Sequence, residues 1–117
     1  METFTFDRKE WRIPAFNSAN AFATIIARGD FSGMIQVTCL TVEPGGVIGT
    51  HPAVGCQLFL VVTGSGWVSG SDGEQIPIHA GQGVRWAEGE IHTSGSDVGF
   101  TAIAVEGPAL EVYESEV

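Results

Sequence analysis

Lysine and arginine are scarce in this chain of 117 residues: five stand against fourteen aspartates and glutamates, a formal net charge of −9. Such a field repels phosphate backbones and anionic lipid headgroups, which excludes nucleic acids and membrane surfaces as ordinary partners. Cysteine is nearly absent. Cys39 and Cys56 form no CxxC pair, so a disulfide framework is excluded and two reduced, buried thiols are expected. Long apolar runs are missing as well: nothing approaches the roughly 18 residues of a spanning helix. Residues Met1 to Arg12 lack the apolar run of about 7–15 residues found in a signal peptide, and a cytoplasmic location is the expectation. Charged residues make up only 16% of the chain and hydrophobic ones 44%, a balance opposite to that of disordered chains. At this length a single globular domain spanning residues 1–117 is expected.

A helical period is also lacking. Sixteen glycines and five prolines break every window in which one could develop, and the fold class reads as all-β. Ile35, Val37 and Cys39 alternate with Gln36 and Thr38 in a strand from Met34 to Val42, which a tight turn at Glu43-Pro44-Gly45-Gly46 is expected to stop. Further strands are expected at 22–27, 57–62, 66–69, 75–78, 83–86, 91–94, 100–105 and 110–113. Gly64-Ser65-Gly66 reads as a tight turn, and Ser71-Asp72-Gly73 as a hairpin connection, since Asp and Gly tolerate positive φ. Eight or nine short strands with no helix between them make a sandwich or a closed barrel. The segment Leu58 to Val62 is apolar on both faces, so its outer face calls for a cover, from another sheet or from a second copy in a homodimer.

Few residues are equipped for chemistry. There is no GxSxG, P-loop, HExxH or GxGxxG motif in a supporting context. Among the three histidines, His51 and His92 sit beside turns at strand starts, while His79 lies in the turn-like stretch 77–83 and reads as a surface residue. Trp67 and Trp86 read as core, Trp86 sharing a face with Val84. Arg28 and Arg85 are the only cations beyond Arg8, Lys9 and Arg12, and read as surface ion-pair partners that would meet an anionic ligand only if turned inward.

The spacing of these residues resembles that of the cupins. Gly45, His51, Ala53, Gln57 and Gly64 follow the first cupin motif, with Ala53 where the family usually has a second histidine and Gln57 where it usually has glutamate. Gly81, Ala87, Gly89, His92 and Ser96 follow the second, with Ala87 in place of proline and Ser96 in place of asparagine. The resemblance implies a double-sheet jelly-roll barrel and, inside it, a divalent metal such as Mn, Fe, Ni or Zn. Of the usual ligands this chain keeps His51 and His92. Gln57 offers a neutral carbonyl oxygen and Ala53 offers nothing. Glu90, two residues before His92, would share its face if the chain is extended there, completing a two-histidine, one-carboxylate set; the competing expectation is a solvent-exposed turn residue.

Two functions follow from this pattern. One is a metal-dependent enzyme acting on a small organic substrate, with His51 and His92 as ligands and Gln57 or Glu90 completing the set. The other is a metal-free module that holds a small molecule by hydrogen bonds from His51, Gln57 and His92, or a barrel in which those residues are purely structural. The fold does not choose between them.

Overall fold

The computed structural model describes residues 9–30, 32–108 and 110, without the side chains of residues 26–30. Its elements are all strands: β1 (Trp11–Arg12), β2 (Ala19–Asp30), β3 (Met34–Pro52), β4 (Cys56–Ser69), β5 (Ile76–His79), β6 (Gly83–Trp86), β7 (Ile91–Gly95) and β8 (Phe100–Gly107). The expected strand at 110–113 lies outside the described residues, apart from Leu110.

Two long strands build the barrel. The first half of β3 pairs antiparallel with β2 and β8, and its second half pairs with β7. The first half of β4 pairs with β8 and β6, and its second half with β7 and β5. Pairing therefore runs β3 to β8 to β4 to β7 and back to β3, a closed ring, with β2, β5 and β6 extending the two sheets. Closure of this kind leaves the four strands of the ring without a free edge.

The expected turns at 43–46 and 64–66 are corrected here. Both are corners at which a continuous strand passes from one sheet to the other. The Gly45 N–H donates to the Ser96 carbonyl at 2.9 Å, and the Ser96 N–H donates to the Gly46 carbonyl at 3.1 Å. The backbone thus stays paired through the bend. At the second corner Gly64 has φ of +81°, and a Cβ there would overlap the Gly99 carbonyl oxygen, so only glycine fits. By contrast, 71–73 is the expected turn: the Gly73 N–H donates to the Gly70 carbonyl at 2.9 Å, and the Asp72 carboxylate accepts the Glu74 N–H at 2.9 Å.

The interior is divided by side-chain size. Phe59 packs against Trp86 at 5.3 Å between ring centroids and edge-on against Phe100 at 5.6 Å, among Val42, Ile48, Val61 and Ala102. Aromatic pairs in such geometry add about 0.5–1.5 kcal/mol each beyond the area they bury. Where Ala23 and Ala104 face inward instead, the small side chains leave space for a cavity. On the other face of β4, Leu60 and Val62 are 40% and 44% exposed.

Candidate functional site

The cavity has a volume of about 200 Å³, smaller than the roughly 300–1,000 Å³ of typical drug-sized sites. Register explains which side chains reach it. On one sheet Glu106 pairs with Gln36 of β3 on one side and Gln57 of β4 on the other, and Gln57 pairs in turn with Trp86 of β6. Aligned residues of neighbouring strands point to the same face, so these four form an inward row. From the facing sheet, His51 of β3 is paired directly with His92 of β7, and both line the same cavity, with Thr38 and Ser94. The walls are Ile13, Phe16, Leu40, Ile48 and Phe59.

The two imidazoles belong to one aromatic stack. Phe16 lies flat on His51 at 4.1 Å and 14°, His51 is tilted against His92 at 4.4 Å and 57°, and His92 stacks on Trp86 at 4.1 Å and 23°. Each ring is also held by its own strand: His51 Nδ1 lies 2.7 Å from the Gly49 carbonyl, and His92 Nδ1 lies 3.0 Å from the Glu90 carbonyl. A carbonyl only accepts, so both Nδ1 atoms carry the proton, which leaves Nε2 as the acceptor atom of an imidazole in its neutral form. Burial pushes the His92 pKa below its ordinary 6.5, with the nearby His51 acting the same way, against the opposing pull of the Glu90 carbonyl and carboxylate. His92 is therefore neutral at pH 7.

The polar partners of the pair are Gln57 and Glu106. Gln57 is 6% exposed, and its Nε2 donates to Glu106 Oε1 at 2.9 Å. Because a carboxylate accepts, the amide must turn its NH₂ toward Glu106 and its carbonyl the other way. That carbonyl oxygen, Gln57 Oε1, is buried without a hydrogen-bond partner. An orphaned buried acceptor costs on the order of 1–3 kcal/mol. Burial raises the Glu106 pKa above its ordinary value, while His51 and the Gln57 amide hold it down.

Sequence reasoning placed His51, Gln57 and His92, and the structure brings these three to one cavity. Glu90 is not brought to them. Its Oε1 accepts the Ala87 N–H at 3.0 Å and its Oε2 the Ser71 N–H at 3.4 Å, closing turns on another side of the barrel. Residue 90 precedes β7, so the face-sharing of an extended strand does not apply to it. Ala53 is buried in the apolar core. The carboxylate that does line the cavity is Glu106, which the sequence reading passed over.

Other residues have structural roles. Ser96 donates its hydroxyl to the Ser65 carbonyl and accepts the Gly99 N–H at 2.6 Å, which pins the second corner. His79 Nδ1 faces the Ala80 carbonyl at an exposed turn. Arg85 donates to the Leu110 carbonyl at 2.6 Å, and the Arg28 side chain is outside the described set. Trp67 packs over Gly95. Phe16 was not anticipated: it arrives on the segment between β1 and β2, docked where the Gly49 N–H donates to Ser18 Oγ at 3.3 Å. A Cβ at Gly49 would overlap the Phe16 carbonyl.

The geometry also tests for a metal. Among the described residues no three His, Cys, Asp or Glu side chains are grouped closely enough to hold an ion. Ala53 gives no donor and Glu90 is engaged elsewhere, so the side chains as placed do not form a complete resident metal site.

No protein-family model matches the sequence, and no curated protein matches it. Solved structures do. A Cupin 2 conserved barrel domain protein from Salinispora arenicola superposes with a TM-score of 0.70 at 25% identity, over 90% of this chain and 87% of that one. The chain is a small cupin-type barrel. An RmlC-like cupin from Shewanella frigidimarina matches with a TM-score of 0.72 at 18% identity, over 95% of both chains. KdgF from Halomonas sp. matches with a TM-score of 0.72 at 17% identity, over 95% of this chain and 96% of that one. Among the described residues of this cupin-type barrel, no helix is long and apolar enough to cross a membrane.

Proposed function

We propose that the barrel is a binding module for a small organic molecule, held in the cavity by hydrogen bonds to Gln57, His51, His92 and Glu106. The observation that carries this reading is the Gln57 carbonyl, buried and unpartnered, on a side chain that lines the cavity. Buried polar groups in folded proteins are nearly always paired, so an orphan in a cavity wall marks the place of a ligand atom. The two Nε2 acceptors beside it serve the same molecule, and the apolar walls enclose its body.

A second reading has one observation of its own. Both imidazoles are fixed in the Nδ1–H tautomer by backbone carbonyls, the arrangement that frees Nε2 for a metal. In that reading His51 and His92, with the Gln57 carbonyl, hold a divalent ion weakly and the remaining positions take a substrate.

A variant with Trp11→Phe and Trp67→Phe keeps Trp86, which lines the cavity, as its sole tryptophan. Its emission is followed while a library of small metabolites, and separately Zn²⁺, Ni²⁺ and Mn²⁺, are titrated in. Saturable metabolite binding after treatment with a chelator supports the first reading. Binding that requires added metal supports the second. No saturable response to either would overturn both.

A further inference from the structure

The row Gln36–Glu106–Gln57 and the facing histidines present an unusual balance of groups to a ligand. Gln57 Oε1, the second oxygen of Glu106 and His92 Nε2 accept; the Gln36 amide, whose NH₂ donates to Thr38 Oγ1 at 3.4 Å, and the hydroxyls of Thr38 and Ser94 complete the polar lining. No lysine or arginine lines the cavity among the described residues. An anionic ligand would therefore meet the Glu106 carboxylate with no lysine or arginine to offset it, and like charges at a half-buried site repel. A neutral alcohol has one hydrogen to give and leaves most of the acceptors unanswered.

We infer, resting on the small-molecule reading above, that the ligand is a small organic cation: a protonated primary amine carried on a compact apolar body. An ammonium group carries three N–H donors and no acceptor. Those donors match the Gln57 carbonyl, the Glu106 carboxylate and a histidine Nε2, while Glu106 supplies the counter-charge that shortens and strengthens the bond. The aromatic rings of Phe16, Phe59 and Trp86 also line the cavity, and aromatic rings attract cations. Ile13, Leu40, Ile48 and Ala104 receive the hydrocarbon part. The volume of about 200 Å³, some seven water molecules' share of liquid, limits that part to a short branched chain or one ring.

The test is calorimetric titration of the whole chain at pH 7.5 with three molecules of one shape and different charge: isobutylammonium, isobutanol and isobutyrate. A second trio, benzylammonium, benzyl alcohol and benzoate, makes the comparison independent of body size. The ammonium should bind at least about tenfold more tightly than the alcohol, as a hydrogen bond to a charged group requires, and the carboxylate should be the weakest. In Glu106→Gln the preference for the ammonium over the alcohol should collapse to within about threefold, leaving alcohol binding in place. If that variant does not fold, the charge order in the wild-type chain decides alone. A carboxylate that binds as well as the ammonium, or a preference that survives Glu106→Gln, overturns the inference while leaving the cavity reading intact. Failure of all six compounds to bind overturns this inference and leaves the small-molecule reading to the metabolite titration.

Discussion

Replacing Gln57 by glutamate places a second carboxylate where the amide now meets Glu106 Oε1 at 2.9 Å. Two charge centres about 4 Å apart at an effective dielectric near 20 repel by about 4 kcal/mol. The pair can avoid this by taking up one proton, and the protonated carboxyl then donates to its neighbour as the amide did. Keeping a glutamic acid of ordinary pKa protonated at pH 7 costs about 3.7 kcal/mol, so either route destabilises the barrel by about 4 kcal/mol there. At pH 5 the same proton costs only about 1 kcal/mol. Urea unfolding of wild type and Gln57→Glu at both pH values measures the difference through the midpoints. The variant should also gain stability from Zn²⁺ or Mn²⁺, since two carboxylates and two imidazoles then face one cavity, with about 2.7 kcal/mol expected at a hundred times Kd. A loss that is equal at pH 7 and pH 5, or no loss at all, would refute the shared site of Gln57 and Glu106.

Four further outcomes are expected. The Glu106 pKa is raised in the folded chain, so its contribution is most favourable at low pH and is lost as pH rises from about 4.5 through the folded value. Urea midpoints of Glu106→Gln should therefore gain on wild type across that window, and a flat difference would contradict the assignment. The His92 pKa is lowered, so the opposite holds: its contribution is full above 6.5 and falls as pH drops toward the folded value, and the advantage of wild type over His92→Phe should shrink with acidification. We propose a homodimer through the outer face of β4, where Leu60 and Val62 are exposed; light scattering should give twice the chain mass, and Leu60→Glu with Val62→Glu should halve it. Cys39 and Cys56, 2% and 3% exposed, should label slowly in the native state and quickly in urea.

Much of this architecture is legible in local sequence. Alternation in Met34 to Val42 and the short runs at 83–86 and 91–94 mark strands, and the resemblance of the two motifs to those of cupins implies that His51 and His92 meet, as they do across β3 and β7. The corners are not legible, because glycine signals a bend in a continuing strand as readily as a hairpin. What keeps the chain extended at Gly45 is pairing with Ser96, a partner distant in sequence. Glu106 escapes because the expected strand at 100–105 stops one residue short of it. Phe100, Ala102 and Ala104 alternate inward, and one further step of the same period places Glu106 with them. Glu90 stays out of the set because the two-residue rule holds only within an extended strand and residue 90 closes a turn, which was the competing expectation. Phe16 had no local signal, since its position over His51 depends on the Ser18 contact with Gly49.

The claim that most needs testing is that a ligand atom answers the orphaned Gln57 carbonyl. The most direct measurement is the ¹⁵N-edited spectrum of the Gln57 side-chain amide during titration with isobutylammonium. The account predicts a saturable, one-to-one shift of that resonance, because loading the carbonyl changes the polarisation of the NH₂ group that stays bonded to Glu106. A Gln57 resonance that does not move while the ammonium binds elsewhere, or that moves without saturating, would contradict it.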